Sequence, residues 1–132
     1  MRKYTCTIAG EDLEFTANFK ASMAIAKEIG DPLMIAREAA LEAMMIAKSF
    51  PYNPRWSFTV ENVPQILHIG LKESGSNMKL ERLQELVFEE GFASSRDHAI
   101  EYLSLIVGPA PEETDDSAGV PEDSAGEKSG GN

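Results

Sequence analysis

The sequence of 132 residues predicts a mostly helical α+β domain, in which an N-terminal β-hairpin packs on a bundle of about five helices. Apolar and polar residues alternate over 4–17, which is typical of strands. Over 20–108, apolar residues recur every three or four positions between recognisable helix starts and stops. The remaining segment, 109–132, offers almost nothing to bury and is predicted to be a disordered acidic tail. The chain therefore divides into one globular domain, 1–108, and a tail.

The first element is a hairpin with a single apolar face. The residues of this face are Tyr4, Cys6 and Ile8 in the first strand and Leu13, Phe15 and Ala17 in the second, separated by a turn at 9–12. Because a lone hairpin is only marginally stable in water, this face must pack against the helices that follow. Cys6 is the only cysteine, which excludes an internal disulfide, and we interpret it as a buried structural thiol rather than a nucleophile.

A first helix is predicted from Lys20 to Ile29, with Asn18 as its N-cap and Gly30 as its stop. Its apolar face would contain Met23, Ala26 and Ile29.

The second helix, Pro32 to Ser49, begins at once, because Asp31 can cap it and proline suits the first helical position. This helix is apolar around most of its circumference. Its narrow polar stripe consists of Arg37, Glu38, Glu42, Lys48 and Ser49. Such a helix usually lies at the centre of a core, and the alternative is a surface that binds a partner or a second copy of the chain.

An aromatic turn containing Tyr52, Trp56 and Phe58 leads to a third helix, Val60 to Ser74, for which Thr59 is the expected cap. The apolar face of this helix comprises Val63, Ile66, Leu67, Gly70 and Leu71, and Gly75 ends it. Pro64 falls in the opening turns, where the missing N–H is tolerated. Glycine inside a helix is unfavourable, so we expect another backbone to approach closely at Gly70.

Two further helices complete the domain. The fourth, Lys79 to Glu90, carries Leu80, Leu83, Leu86 and Val87 and stops at Gly91. The fifth is predicted to start at Ser94, which forms a capping-box-like pair with Asp97. Its apolar residues are Ala99, Ile100, Leu103, Ile106 and Val107, and it ends at Gly108.

Charge narrows the range of partners. Of the formal charge of −10, the segment 109–132 contributes seven acids and one lysine, which leaves 15 acids and 11 bases, or −4, in the rest of the chain. A nucleic-acid partner would require clustered Lys or Arg, so none is expected. No signal peptide and no apolar run of membrane-spanning length is visible, and a cytoplasmic location without membrane contact is expected.

The sequence contains few residues that could serve in catalysis or bind a metal ion. His68 and His98 are too far apart to form a local metal motif, and His98 is expected to be an exposed helix residue. Adjacent acids such as Glu89 and Glu90 point about 100° apart on a helix and cannot act as a pair. We therefore assign no catalytic, cofactor-binding or metal-binding residue and expect a protein that is not an enzyme.

Binding to another protein is the remaining class of function. The candidate contact residues are Met34, Leu41, Met44 and Met45 on the second helix and Trp56 and Phe58 in the aromatic turn. Methionine adapts to differently shaped neighbours, and large aromatic residues often anchor interfaces. The aromatic pair also suits a second interpretation, in which it caps one end of the helical core.

Several motifs of the chain resemble those of a known family. They are Gly30-Asp31-Pro32-Leu33 with Ile35-Ala36-Arg37-Glu38-Ala39-Ala40; Tyr52-x-Pro54-x-Trp56-x-Phe58-Thr59-Val60; Ile69-Gly70-Leu71-Lys72-x-x-Gly75; and Tyr102-Leu103-x-Leu105-Ile106-Val107-Gly108-Pro109. In this order they resemble tail assembly chaperones of long-tailed phages, especially those of gene transfer agents and related proteobacterial prophages. The resemblance covers about 1–110 and excludes the acidic tail.

The resemblance implies a small helper in the bacterial cytoplasm that binds the tape measure protein and delivers tail tube subunits during tail morphogenesis. Such proteins have no catalytic residues and are typically absent from the finished particle. The resemblance does not specify the oligomeric state, and a homo-oligomer is one of the alternatives. The alternative is an acidic inhibitor that mimics nucleic acid and blocks a DNA-binding enzyme, although acids interleaved with bases do not form a phosphate-like array.

Overall fold

The computed structural model describes residues 2–108, so the predicted tail, 109–132, lies outside the described residues. Within the described part, a two-stranded antiparallel sheet precedes five helices, as the sequence predicts. The elements are β1 Arg2–Ile8, β2 Glu11–Ala17, α1 Phe19–Glu28, α2 Pro32–Ala47, α3 Asn62–Glu73, α4 Leu80–Glu90 and α5 Phe92–Val107. The predicted fold class, an α+β fold with a hairpin on a helical bundle, is confirmed.

The hairpin turn is tighter than predicted. Glu11 and Asp12 belong to β2, and only Ala9 and Gly10 connect the strands, with φ angles of 51° and 83°. Two successive positive φ angles are typical of the two-residue turns that match the twist of a hairpin. The resulting register pairs Tyr4 with Phe15 and places the predicted apolar residues on the side that faces the helices.

Helix α3 lies at the centre of the molecule and contacts β2, α1, α4 and α5. All five residues predicted for its apolar face are buried, as are Pro64 and Ile69. Thr59 caps it reciprocally: its hydroxyl accepts from the amide of Asn62 at 3.0 Å, and the Asn62 side chain accepts from the amide of Thr59 at 2.8 Å. Thr59 therefore forms the predicted capping bonds, although the helix begins at Asn62 rather than Val60 and Glu61 directly precedes it.

The close contact expected at Gly70 exists, but the neighbour is the ring of Tyr102 and not another backbone. Tyr102 is completely buried, and its hydroxyl donates to the carbonyl oxygen of Thr16 at 2.7 Å. This hydrogen bond joins α5 to β2 through the core. Tyr102 is thus a core residue that was not predicted from the sequence.

The face predicted for α1 is wrong at two of its three residues, since only Ile29 packs against the core. Ala21 and Ile25 are buried, whereas Met23 is 53% exposed and Ala26 is also exposed. Asn18 explains the orientation, because its side-chain oxygen accepts from the amide of Ala21 at 2.8 Å while its amide donates to Glu73 at 3.1 Å. The predicted cap thus fixes the start of α1 against the end of α3.

The predicted start of α5 is also wrong. Gly91 alone separates α4 from α5, and its φ of 107° allows the chain to end one helix and begin the next. Ser94 lies within α5, where its hydroxyl donates to Glu90 at 3.1 Å instead of capping the helix. On α4, Leu83, Leu86 and Val87 are buried as predicted.

Two polar contacts hold the hairpin on the bundle. Arg2 donates to the carbonyl oxygen of Leu105 at 2.7 Å, near the C-terminal end of α5. The amide of Ala9 donates to Glu90 at 2.7 Å, and this bond lowers the pKa of the Glu90 carboxyl. Both ends of β1 are therefore fixed to the bundle.

Candidate partner-binding face

Helix α2 does not lie at the centre of the core. Of its 16 residues only Pro32, Ile35 and Glu38 are buried, so the interpretation of α2 as a central helix is wrong. It packs on α5 and, more weakly, on α1, and no other described element covers its outward side. Leu33 and Ile46 are 65% and 67% exposed. The surface alternative therefore fits the position of this helix.

The outward side of α2 is apolar along its whole length. We define the outer face of α2 as Leu33, Ala36, Ala40, Ala43, Met44 and Ala47. Ala36 is half-buried and the other five residues are exposed. At 100° per residue these positions fall within an arc of about 100°, the width of the stripe that a surface helix normally turns toward its own core. Here the stripe points away from the core.

A groove of about 230 Å³ runs between α2 and α5 beside this face. Ala36, Ala39, Ala40 and Ala43 line it on the α2 side, and Phe58, Ile100, Leu103 and Ser104 complete its lining. Because alanine side chains are short, a docking helix could approach the α2 backbone closely here.

The acids of α2 point toward the protein, which reverses the usual polarity of a surface helix. Glu38, predicted as part of the polar stripe, is only 4% exposed. Its carboxylate accepts from the hydroxyl of Tyr52 and from the amide of Arg55 at 3.2 Å. These bonds, above all that from Tyr52, lower the pKa of Glu38. The carboxylate therefore fastens the aromatic turn to α2, and Glu42 is half-buried on the same side.

Trp56 and Phe58 are half-buried and pack against the core, as the core-capping interpretation predicts. Their rings meet edge to face, with centroids 4.9 Å apart and an interplanar angle of 82°. Trp56 and Met34 both lie close to Gly30: a Cβ on this glycine would lie 3.5 Å from the Trp56 indole nitrogen and 3.5 Å from the Met34 methyl group.

The six candidate contact residues do not form one patch. Met34 and Trp56 both lie beside Gly30, Phe58 lines the groove, and Met44 lies on the outer face with 45% exposure. Leu41 and Met45 are half-buried, and Leu41 lines a separate hollow beside the aromatic turn.

The other members of the outer face were not among the residues predicted to bind a partner. Leu33, Ala36, Ala40, Ala43 and Ala47 follow an alternating spacing of three and four residues. This regular spacing, rather than residue size, is the signal that could have identified them.

Basic residues flank the outer face. Arg37 and Lys48 lie to one side of it on α2, and Arg37 lines the hollow of about 330 Å³ together with Arg55. All three bases are exposed. The ion pairs found within 2–108 join Lys3 to Glu14 and Arg82 to Glu11 and Glu85, so none of them involves these three bases.

The residues considered for chemistry have structural contacts. His68 forms a 2.8 Å hydrogen bond with the carbonyl oxygen of Met78, which holds the connection between α3 and α4. His98, expected to be exposed, is half-buried and forms a 2.6 Å hydrogen bond with the Tyr4 hydroxyl. Cys6 is half-buried, and burial raises the pKa of its thiol to about 11.

Over 2–108, no three or more His, Cys, Asp or Glu side chains are grouped so that they could hold a metal ion. In the same part of the chain, no helix has the length and apolar character needed to cross a membrane.

Comparison with protein-family models, curated proteins and solved structures finds no match to the chain. The function is therefore inferred from the residues themselves, and above all from the outer face of α2.

Proposed function

We propose that the chain is a phage tail assembly chaperone that is not an enzyme. In this role it binds the tape measure protein and tail tube subunits in the host cytoplasm, and it is left behind when the tail is complete. Tail proteins must stay soluble before they polymerise, so a helper has to cover their apolar assembly surfaces and then release them. This task requires an accessible apolar face and no site for chemistry.

The observation that supports the proposal is the outward orientation of the apolar stripe of α2. On soluble monomers, contiguous apolar patches larger than roughly a few hundred Å² are rare and mark binding sites. Leu33 is 65% exposed and Met44 is 45% exposed, and Ala40 and Ala43 between them are also exposed. The adjoining groove of about 230 Å³ adds a concave surface into which a partner could insert side chains.

The size of the face suits a reversible interaction. A helix of 16 residues is about 24 Å long, so one docked helix would bury an area at the low end for protein interfaces. Interfaces of this size are typical of transient complexes. A chaperone that hands over its partner needs such a contact rather than a permanent one.

The test is co-expression with the tail tube and tape measure proteins encoded by the same mobile element. We expect either or both to be recovered in a soluble complex with the chain on size-exclusion chromatography. The substitution Met44→Glu, which places a charge on the outer face, should weaken the complex. Gln84→Glu adds the same charge to an exposed position of α4 and should leave it intact. Failure of both tail proteins to bind the wild-type chain would refute the proposed function.

A further inference from the structure

The spacing and the charges around the outer face of α2 also indicate what kind of segment it binds. We infer that this face binds an amphipathic α-helix of a partner protein whose apolar stripe is flanked by acidic residues. The inference rests on the proposed function in one respect, that the face serves a partner protein. It adds the secondary structure and the charge of the segment that is bound.

The spacing of the face favours a helical occupant. Leu33, Ala36, Ala40, Ala43 and Ala47 repeat at intervals of three and four residues, which is the pattern by which one helix packs along another. A strand would present a period of two and could not follow this stripe. The groove between α2 and α5 gives the second helix a place to lie.

The charges beside the face favour an acidic occupant. Arg37 and Lys48 are exposed on one flank, and no ion pair within the described residues engages them. The acids of the same helix leave this flank largely available: Glu38 attracts Arg37 electrostatically but forms no ion pair with it within the described residues, and Glu42 is half-buried on the protein side. Complementary charge on the partner would therefore lie at the edge of its apolar stripe.

A second copy of the chain fits this face less well. In an antiparallel pair of α2 helices, equivalent flanks meet, so Arg37 and Lys48 would face the same bases of the other copy. In a parallel pair, the flank with Arg37 and Lys48 would face the other flank of the second copy's α2 helix. That flank carries Ala39 and Ile46 and no acid. Neither arrangement supplies an acidic neighbour from α2.

The segment 109–132 of the chain itself is also a poor occupant. It has seven acids, but Val120 is its only residue among Val, Ile, Leu, Met, Phe, Trp and Tyr. It supplies the charge without the apolar stripe that would cover Leu33 and Met44. The observations thus favour a helix of another protein.

The test uses the full chain and two fluorescein-labelled synthetic helices of about 21 residues, or three heptads. Both carry Leu and Ala at the heptad core positions, and their flanks are all Glu in one and all Lys in the other. Fluorescence anisotropy measures the affinity of each. We expect the acidic helix to bind about fivefold more tightly, as two exposed ion pairs allow, and the preference to shrink as salt is added.

Three variants test the geometry. Ala40→Glu places a carboxylate in the middle of the face, three residues from Arg37, and should weaken binding of the acidic helix at least about tenfold, since the charge would be covered by the apolar stripe of the peptide and would compete with its acids for Arg37. Gln84→Glu is the matched control on α4 and should change nothing. The double variant Arg37→Glu, Lys48→Glu should invert the preference, so that the basic helix binds more tightly.

Equal binding of both helices, or full binding by Ala40→Glu, would overturn the inference. A wild-type dimer in sedimentation equilibrium that Ala40→Glu dissociates, without binding of either helix, would assign the face to a second copy. Tighter peptide binding after Glu112→Gln, Glu113→Gln, Asp115→Asn and Asp116→Asn together would assign it to the chain's own acidic segment.

The two proposals fail in different ways. If the acidic helix binds as expected but no tail protein forms a complex, the proposed function is wrong and the binding mode stands. If tail proteins bind wild type and Ala40→Glu equally, the function stands and the binding mode is wrong.

Discussion

The ring of Tyr102 occupies the space that a side chain at Gly70 would need. A Cβ atom on Gly70 would lie 2.6 Å from Cζ and 2.7 Å from the hydroxyl oxygen of Tyr102. The ring cannot move aside cheaply, because Tyr102 is completely buried and its hydroxyl is bound to the carbonyl oxygen of Thr16. The glycine thus allows α3 and α5 to pack at this distance.

The substitution Gly70→Ala should destabilise the protein. Overpacking a core typically costs about 1–3 kcal/mol, and the better helix propensity of alanine offsets at most about 1 kcal/mol of this. Urea denaturation followed by Trp56 fluorescence measures the free energy of unfolding. Gly30→Ala is the control, because its Cβ would meet its nearest neighbours at an ordinary 3.5 Å. Equal stabilities of the two variants would show that the contact at Gly70 is not constraining.

Features encoded by nearby residues were predictable from the sequence. The alternation around Phe15 defined the hairpin, and Thr59 with the apolar spacing from Val63 onward defined α3. Cap, stripe and stop agree with one another in that helix, so no distant contact was needed to place it. The close approach at Gly70 could also be expected, although the identity of its neighbour depended on the folded arrangement of α5.

Features that depend on distant residues were not predictable. An almost uniformly apolar helix does not reveal which side faces inward, and the orientation of α2 depends on Glu38 being bound by Tyr52, 14 residues later. Similarly, Ser94 has the sequence signature of a cap, but Gly91 adopts a positive φ angle and starts α5 earlier. The candidate face was missed for the same reason as the orientation of α2.

The orientation of α2 predicts very different costs for two Leu→Ala substitutions. Leu33 is 65% exposed, so Leu33→Ala should change the free energy of unfolding by no more than about 0.5 kcal/mol. Leu67 is completely buried in α3, so Leu67→Ala should cost about 2–5 kcal/mol through lost burial and the cavity left behind. Urea denaturation of both variants measures the difference. A large cost at Leu33 would mean that α2 faces inward.

Acid should loosen the aromatic turn. The Tyr52 hydroxyl lowers the pKa of the Glu38 carboxyl. A carboxyl whose pKa is lower in the folded than in the unfolded protein stabilises the fold. This stabilisation is complete above the pKa of the unfolded state, about 4.3, and is lost as the pH falls through the pKa of the folded state. Because Tyr52→Phe removes the main cause of the shift, stability should fall less steeply in this variant than in wild type below about pH 4.5.

Urea midpoints at several pH values, followed by the fluorescence of Trp56, measure this effect. Glu38→Gln has no titrating group at this position, so its remaining acid dependence reports Glu90, whose pKa is also lowered, and the other carboxyls. Parallel acid curves for wild type and Tyr52→Phe would contradict the assigned role of the Tyr52–Glu38 bond.

Cys6 should react slowly with thiol reagents in the folded protein. Burial on the inner side of the hairpin raises the pKa of its thiol from 9.0 to about 11, which lowers the reactive thiolate fraction near pH 8 by about 100-fold. The rate of reaction with a chromogenic disulfide should therefore be far lower in native than in urea-unfolded protein, and Cys6→Ser should not react. The raised pKa of the Cys6 thiol also makes the free energy of unfolding depend on pH. The stability that this thiol contributes is complete below about pH 9 and is lost as the pH rises toward 11. A native rate close to the unfolded rate would place the thiol in solvent and contradict its position on the inner face of β1.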